Sequence, residues 1–210
     1  SAFMSIDCAN NLKPQYEFGY INSSAKYLLY QDTFLGCMDK SVEGKESEIL
    51  KAYDAHIREL KKAEKICAEY SYLFGTQIAL VRALKQKFYL GVKTRAAYVN
   101  RDVEALTALV KTEYPKTIRA IKWFYVAFKK QWMTVNKPHG IDVTDIRIGA
   151  LIFRLESNKQ RISDFLSGKL SEIPELDEII LDEFGQGNKI IQQNWGEMTT
   201  PNTLIEYLNY

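Results

Sequence analysis

The chain has 210 residues, which is enough for one substantial hydrophobic core. Its hydrophobic fraction of 46% and charged fraction of 26% are ordinary for a soluble globular protein. The net charge of +2 neither requires nor excludes a nucleic acid or an anionic membrane as a partner. No stretch approaches the roughly 20 consecutive apolar residues of a membrane-spanning helix, so we expect no membrane partner.

The cysteines and the first residues indicate where the protein works. Cys8, Cys37 and Cys67 are widely spaced, odd in number and without a C-x-x-C pair. This pattern argues against a disulfide framework or a zinc site and favours reduced thiols in the cytoplasm. The N-terminus, SAFMSIDC, lacks the basic and apolar regions of a signal peptide. Because methionine comes fourth, we expect a fragment of a longer parent protein.

Residues 1–42 are predicted to form an irregular aromatic arm. They show no sustained 3.6-residue periodicity, and Pro14, Gly19 and Gly36 interrupt them. Their many tyrosines and phenylalanines make them too aromatic for a free linker. We therefore expect short turns or strands that lie on an apolar surface.

A long helix is predicted from about residue 44 to residue 74, where apolar residues step by alternating four and three. His56 lies on this stripe, and a hydrogen-bonded core histidine explains it better than a metal ligand does. Gly75 and Thr76 predict a break with a possible N-cap. The next apolar stripe predicts a helix that ends near Asn100.

Asp102 is a candidate cap for a shorter helix, and Pro115 suits the first turn of the helix that follows. The helix that begins near Pro115 runs to Val135. Its basic residues alternate with aromatic ones, as in some proteins that bind single-stranded nucleic acid. Because its aromatics fall on one face and most of its basic residues on the others, a solvated amphipathic helix is favoured. We expect no nucleic-acid partner.

The remaining elements complete an all-α prediction. Thr144 or Asp145 is expected to cap a helix that runs to about Gly168, and Pro174 to open a short helix in an acidic segment. The predicted fold is a mainly antiparallel bundle of five or six helices in residues 43–184. The aromatic arm precedes it, and an irregular tail, with a possible short strand, covers residues 185–210.

Motifs for catalysis are scarce in this sequence. It contains no G-x-G-x-x-G, P-loop, H-E-x-x-H or G-x-S-x-G motif. The adjacent carboxylates at 177–178 and 182–183 fall in a predicted acidic helix, where neighbouring side chains point in different directions. A solvated face is therefore favoured over an acid/base pair. The sequence predicts no catalytic residue, no metal site and no cofactor.

The segment 132–155 is unlike the rest of the chain. The turn at 137–140, with its proline and glycine, is predicted to present Asp142, Asp145 and Arg147 from a rigid base. Two interpretations stay open. In the first, Asp145 caps the following helix and Arg147 pairs with a nearby carboxylate. In the second, at least one of the three residues binds a neighbouring domain or a polar ligand.

This corner also carries a family resemblance. It is similar to the C-terminal helical domain of a bacterial subgroup of family 20 glycoside hydrolases, the β-N-acetylhexosaminidases, through Lys137-Pro138-x-Gly140-x-Asp142-Val143-x-Asp145-Ile146-Arg147-x-Gly149. Two other segments agree, namely Lys26 to Asp32 with Leu35, Gly36 and Asp39, and Asn194-Trp195 with Met198 and Thr199. Thr33, Cys37 and His139 depart from the family pattern, which more often has Pro, Leu and Phe there.

The resemblance implies a non-catalytic domain of such an enzyme. In the family the chemistry sits on a (β/α)8 barrel, where an Asp-Glu pair serves substrate-assisted retaining hydrolysis of terminal β-linked N-acetylhexosamine. No catalytic residue carries over to this chain, so we expect the 210 residues alone to be inactive. A free-standing helical interaction module, binding through the aromatic arm, is the alternative, and a nucleic-acid-binding bundle is a third.

The partner implied by the resemblance is the catalytic barrel domain of the same parent chain, with residues 1–42 as the arm that leads from it. A homodimer is a further possible partner. The domain would buttress the barrel, support a dimer, or lend its corner to the rim of the active site. The residues expected at such an interface or rim are Tyr27, Tyr30, Asp32, Trp132, His139, Asp142, Asp145 and Arg147.

Overall fold

The computed structural model describes residues 24–36 and 39–178, and within these ranges it contains helices and turns but no strand. The described helices are α1 (Ser24–Tyr30), α2 (Asp39–Val42), α3 (Glu46–Ile66), α4 (Ser71–Lys87), α5 (Leu90–Val99), α6 (Val103–Ala108), α7 (Tyr114–Val135), α8 (Ile141–Leu166) and α9 (Pro174–Asp177). The all-α prediction is confirmed, and α3 to α8 supply the expected bundle helices. The predicted irregular tail lies outside the described residues.

Helix α4 lies at the centre of the bundle. It packs against α3 on one side and α7 on the other, while α8 packs along α7 and α1 along α4. The predicted stripe of α3 is buried, and it includes His56, which is a core histidine as expected. Burial lowers the pKa of His56, since charging it inside the core costs solvation energy.

The predicted break at Gly75 and Thr76 is wrong. Helix α3 ends at Ile66, and one 3₁₀ turn separates it from α4, which runs through both residues. The Thr76 hydroxyl lies within hydrogen-bond distance of two backbone carbonyl oxygens, one in its own helix and one in α7, and does not cap a helix start. Burial of the α4 stripe against α3 and α7 outweighs the low helix propensity of glycine.

The single helix expected between residues 76 and 100 is two helices, because the chain turns at Phe88 and Tyr89. Phe88 is buried there, edge-on to Tyr53, with ring centroids 5.8 Å apart.

The Asp102 cap is confirmed, since its side chain accepts a 2.9 Å hydrogen bond from the amide of Ala105. Between α6 and α7 the chain makes a π-helical segment, Leu109–Glu113.

The start of α8 differs from its prediction. The helix begins at Ile141, directly after Gly140, whose φ of +91° lies in the left-handed region. Neither Thr144 nor Asp145 is therefore an N-cap. The Asp145 carboxylate instead accepts a 2.5 Å hydrogen bond from the Tyr125 hydroxyl of α7, which ties the two helices together beside the turn.

The arm is not wholly irregular, because α1 and α2 are short helices. Ala25, Leu28 and Leu29 of α1 are buried in the common core. Their spacing of three and four residues puts them on one helical face. A helix of seven residues, about two turns, is too short to show as a periodic pattern among so many aromatic residues.

Candidate functional site

A cluster of buried polar groups holds the segment that follows α1. Gln31, Asp32 and Thr33 are almost completely buried, although this segment is not helical. Buried polar groups are costly unless they are hydrogen-bonded, so their partners determine how the segment is held. We call residues 24–36 the arm, and the groups that bind its polar side chains and carbonyls the arm anchor.

Asp32 is the centre of the arm anchor. Its Oδ1 accepts hydrogen bonds from the amides of Phe34 (2.6 Å) and Leu35 (3.2 Å), which shapes the turn, and from Asn158 Nδ2 of α8 (3.3 Å). Its Oδ2 accepts from Arg154 Nε, also of α8. Burial alone would raise the pKa of Asp32, but Arg154 and the two amides outweigh it and lower that pKa. Asp32 is therefore a carboxylate.

Thr33 extends the arm anchor to three helices. Its hydroxyl accepts from Asn158 Nδ2 at 2.8 Å and lies 2.9 Å from the Tyr114 hydroxyl. Tyr114 in turn lies 3.1 Å from the Thr94 hydroxyl of α5. Burial raises the pKa of Tyr114, so it stays a neutral hydrogen-bonding group. Proline at position 33 would lack the hydroxyl that this chain of hydrogen bonds uses.

Lys87 holds the end of α1. Its side chain is fully buried, and Nζ donates to the carbonyl oxygens of Gln31 (2.6 Å) and Leu28 (3.5 Å). A cation there satisfies carbonyl groups that a helix C-terminus leaves without intrahelical partners. The long lysine side chain thus joins α4 to the arm inside the core.

Asp39 is a second buried carboxyl group. One oxygen accepts from Gln31 Nε2 at 3.1 Å, while the other makes no hydrogen bond. Burial raises the pKa of Asp39 to about 7, against the opposing charges of Lys87 and Arg95. A Cβ at Gly91 would lie 2.8 Å from Asp39 Oδ1, so α5 approaches this carboxyl group only because position 91 has no side chain.

Arg95 of α5 joins the arm to the last described segment. Its guanidinium donates to the carbonyl oxygens of Phe34, Leu176 (2.6 Å), Glu175 (3.0 Å) and Glu178 (2.8 Å). Five donors in a fixed fork suit an arginine to hold several carbonyl groups at once. The arm and the segment around α9 are therefore fixed to the same side chain.

The predicted interface residues do not form one site. Asp32 lies in the arm anchor, and Tyr30 is half-buried near Arg147, where burial raises its pKa and the positive charge of Arg147 opposes that rise. Arg147 is half-buried on α8. It lies on the same helical face as Arg154, which follows seven residues later. Tyr27 belongs to α1, but its side chain lies outside the described part of the structure.

The other predicted residues lie at the corner between α7 and α8. Trp132 is half-buried, and its Nε1 donates to the Lys137 carbonyl oxygen at 2.9 Å. Its ring lies 3.4 Å from where a Cβ at Gly140 would be, so it covers the left-handed turn. His139 and Asp142 are exposed at this corner. The corner is therefore a fixed turn that presents polar side chains.

Sequence reasoning missed most of the arm anchor. Asn158 gave a signal, because it fills a gap in the apolar stripe of α8. Lys87, Arg95 and Arg154 gave none, since a lone basic residue in a helix usually points to solvent. Their contacts, and the burial of Lys87, follow from the position of the arm, which no local pattern encodes.

Three further findings describe the rest of the molecule. Within residues 24–36 and 39–178, no group of three or more His, Cys, Asp or Glu side chains could hold a metal ion. Over the same residues, no helix has the length and hydropathy to cross a membrane. An open pocket of about 410 Å³ lies beside α5, α6 and the π-helical segment, and none of the predicted interface residues lines it.

The fold and the arm anchor define a class: a helical bundle domain that fixes the polypeptide segment leading into it. The chain belongs to the Glycoside Hydrolase 20C C-terminal domain family, whose family model matches residues 1–192. The resemblance noted from the corner motif is thereby confirmed. A comparison with curated proteins gives no match.

Proposed function

We propose that this chain is the non-catalytic C-terminal domain of a β-N-acetylhexosaminidase and that it positions the catalytic barrel domain of the same protein. The observation that carries the proposal is the arm anchor, in which the buried carboxylate of Asp32 is gripped by Arg154 and Asn158 of α8. The parent's reaction in this proposal is hydrolysis of terminal β-linked N-acetylhexosamine.

The physical argument rests on what buried polar groups add to a contact. An apolar segment could lie on the bundle in several registers at similar energy, since hydrophobic contact is non-directional. Hydrogen bonds to Asp32, Thr33 and the carbonyls bound by Lys87 and Arg95 satisfy their partners in one geometry only. A domain attached through this arm would therefore hold a defined orientation.

The corner is the second element of the proposal. Gly140 and the Trp132 contacts fix the turn, and Tyr125 fixes Asp145. We assign this rigid corner to the contact with the barrel domain or to the rim of its active site. Arg147, half-buried beside the arm, would then link the corner to the arm anchor.

The test uses the 210-residue chain and the same chain joined to its family 20 catalytic domain, both assayed on an aryl N-acetyl-β-glucosaminide. We expect turnover only from the joined protein. Arg147→Ala should lower its activity more than it lowers the stability of the 210-residue chain, whereas Lys62→Ala, at an exposed ion pair of α3, should change neither. Turnover by the 210 residues alone would contradict the proposal.

A further inference from the structure

The turn between α3 and α4 exposes apolar side chains to solvent. Helix α3 ends at Ile66, whose side chain is 82% exposed, and the 3₁₀ turn that follows ends at Tyr70, which is 50% exposed. Cys67 lies between them and is also exposed, with a free thiol. We call residues 66–70 the apolar turn. Isoleucine is among the residue types most often fully buried, so its exposure beside an exposed tyrosine indicates a contact surface.

The apolar turn lies at the same end of the bundle as the corner between α7 and α8. Two contacts show how α4 and α7 run past each other, namely Thr76 Oγ1 to the Ala127 carbonyl oxygen (3.1 Å) and Thr117 Oγ1 to the Gln86 carbonyl oxygen (3.2 Å). The two helices are therefore antiparallel, and a step back along α4 corresponds to a step forward along α7. Tyr70, six residues before Thr76, is thus level with about residue 133, close to the end of α7 at Val135.

The arm enters the bundle from this same end. Helix α8 begins at the corner, so Arg147 is closer to the corner than Arg154 by seven residues, or about 10 Å along the helix. Asp32 is bound by Arg154, whereas Tyr30 lies near the positive charge of Arg147. Followed back towards Ser24, the arm therefore leads to the end of the bundle that carries the corner and the apolar turn.

The charges beside the apolar turn leave its apolar side chains as the feature to be recognised. From residue 59 to residue 69 three lysines and three glutamates alternate along the chain, namely Glu59, Lys61, Lys62, Glu64, Lys65 and Glu69. Two of them already pair with each other, with Lys62 Nζ 2.9 Å from Glu59 Oε1. Little net charge remains to attract either an acidic or a basic partner. The surface that fits here is therefore an apolar one.

The size of the apolar turn decides what kind of partner it suits. Its isoleucine and tyrosine together offer roughly 200 Å² of surface, whereas a partner that binds from solution needs about 800 Å² on each side. A domain of the same chain does not need so large a contact, because a short linker holds it at a local concentration in the millimolar range. The apolar turn is thus too small for a free partner and large enough for a tethered one.

We propose that the apolar turn is a docking point for the catalytic domain of the same chain, which buries Ile66 and Tyr70 against an apolar patch of its own surface. This inference rests on the proposed function, since it names a second surface for the domain that the arm positions. The contact lies on α3 and α4, whereas the corner lies between α7 and α8. A contact away from the arm would keep the attached domain from rotating about the arm.

Cys67 provides a direct test, because a docked domain shields it together with its neighbours. The rate at which N-ethylmaleimide alkylates Cys67 is measured by mass spectrometry of the peptide that contains it. The 210-residue chain is compared with the same chain joined to its family 20 catalytic domain. We expect the rate to be at least about tenfold lower in the joined protein. An equal rate in the two proteins would overturn the proposal.

Variants separate docking from unspecific shielding. In the joined protein, Ile66→Ser with Tyr70→Ser should raise the alkylation rate to that of the same double variant of the 210-residue chain. The matched control is Val103→Ser, because Val103 is 64% exposed on α6, which packs beside the segment that leads into α7, at the other end of the bundle. This control should leave Cys67 protected. Protection that survives the double variant would overturn the proposal.

The concentration of the protein identifies the occupant. A domain of the same molecule shields Cys67 equally at every concentration, so the protection should be the same at low and at high micromolar protein. Protection that increases with concentration would place a second molecule on the apolar turn and overturn the proposal. The proposed function is tested by turnover of an aryl substrate, so its failure and the failure of this docking contact give different results.

Discussion

Replacing Asp32 by asparagine tests whether the arm anchor stabilises the domain. Asp32 is 6% exposed, and its carboxylate accepts hydrogen bonds from two amides, Asn158 and Arg154. Asparagine keeps the size of the side chain and the contacts to Oδ1. However, it replaces Oδ2 by an NH₂ group, which would face the donor of Arg154. The variant therefore removes one charge and leaves a half-buried cation opposite a donor.

The magnitude follows from the contacts. Breaking a fully buried ion pair costs about 3–5 kcal/mol, but Arg154 is partly solvated, with its side chain 38% exposed. Solvent screening reduces the loss, while the three remaining hydrogen bonds weaken as the acceptor loses its charge. We expect Asp32→Asn to lower the free energy of unfolding by about 2–4 kcal/mol and Arg154→Met by about 1–3 kcal/mol.

The assay is urea unfolding followed by circular dichroism at 222 nm, for the wild type, both single variants and the double variant. The double variant should lose at least about 1 kcal/mol less than the sum of the single losses, because the two residues share one interaction. Lys62→Ala, at an exposed pair, is the matched control and should cost less than about 0.5 kcal/mol. Additive losses, or a loss from Asp32→Asn as small as the control's, would refute the anchoring role.

Three other predictions concern pH and glycine. Asp39 keeps its proton in the folded state up to a pKa of about 7 but loses it near 3.8 when unfolded. The folded state therefore binds more protons between these values, and stability should fall as pH rises from 4 to 7, by at most about 4 kcal/mol. Asp39→Asn should remove this part of the slope, and an unchanged difference between pH 4 and pH 7 would contradict it. Gly140→Ala, at a φ of +91°, should cost about 1–2 kcal/mol in thermal unfolding. Gly149→Ala, inside α8 with open space beside it, should instead raise the free energy of unfolding by about 0.5–1 kcal/mol. A loss of stability in this variant would contradict the prediction.

The sequence predicted what periodicity encodes. The stripes of α3, α7 and α8 predicted real helices, because each buries a face at intervals of three and four residues, although the end of α3 and the start of α8 were misplaced. Asp102 and Pro115 were correctly placed at helix starts, since their effects are local. Where tertiary packing competes with local preference, as at Gly75 inside α4, the local rule gave the wrong boundary.

The arm anchor could be predicted only in fragments. Asp32 was named as an interface residue, but its partners Arg154 and Asn158 are more than a hundred positions away in the chain. Lys87 was invisible, because a lysine in a helix is ordinarily solvated, and its burial depends on carbonyl groups of the arm. Long-range polar pairing of this kind leaves no periodic signal in the sequence.

The sequence separation within the arm anchor has a consequence for the order of folding. Asp32 lies 122 positions before Arg154 and 126 before Asn158. During synthesis a chain emerges from its N-terminus, so the arm leaves the ribosome well before the helix that grips it. Contacts of such separation also form late because the intervening loop must close first. Helix α1 can already pack on α4, which follows it early in the chain, whereas the bonds of Asp32 to Arg154 and Asn158 form only after α8 exists.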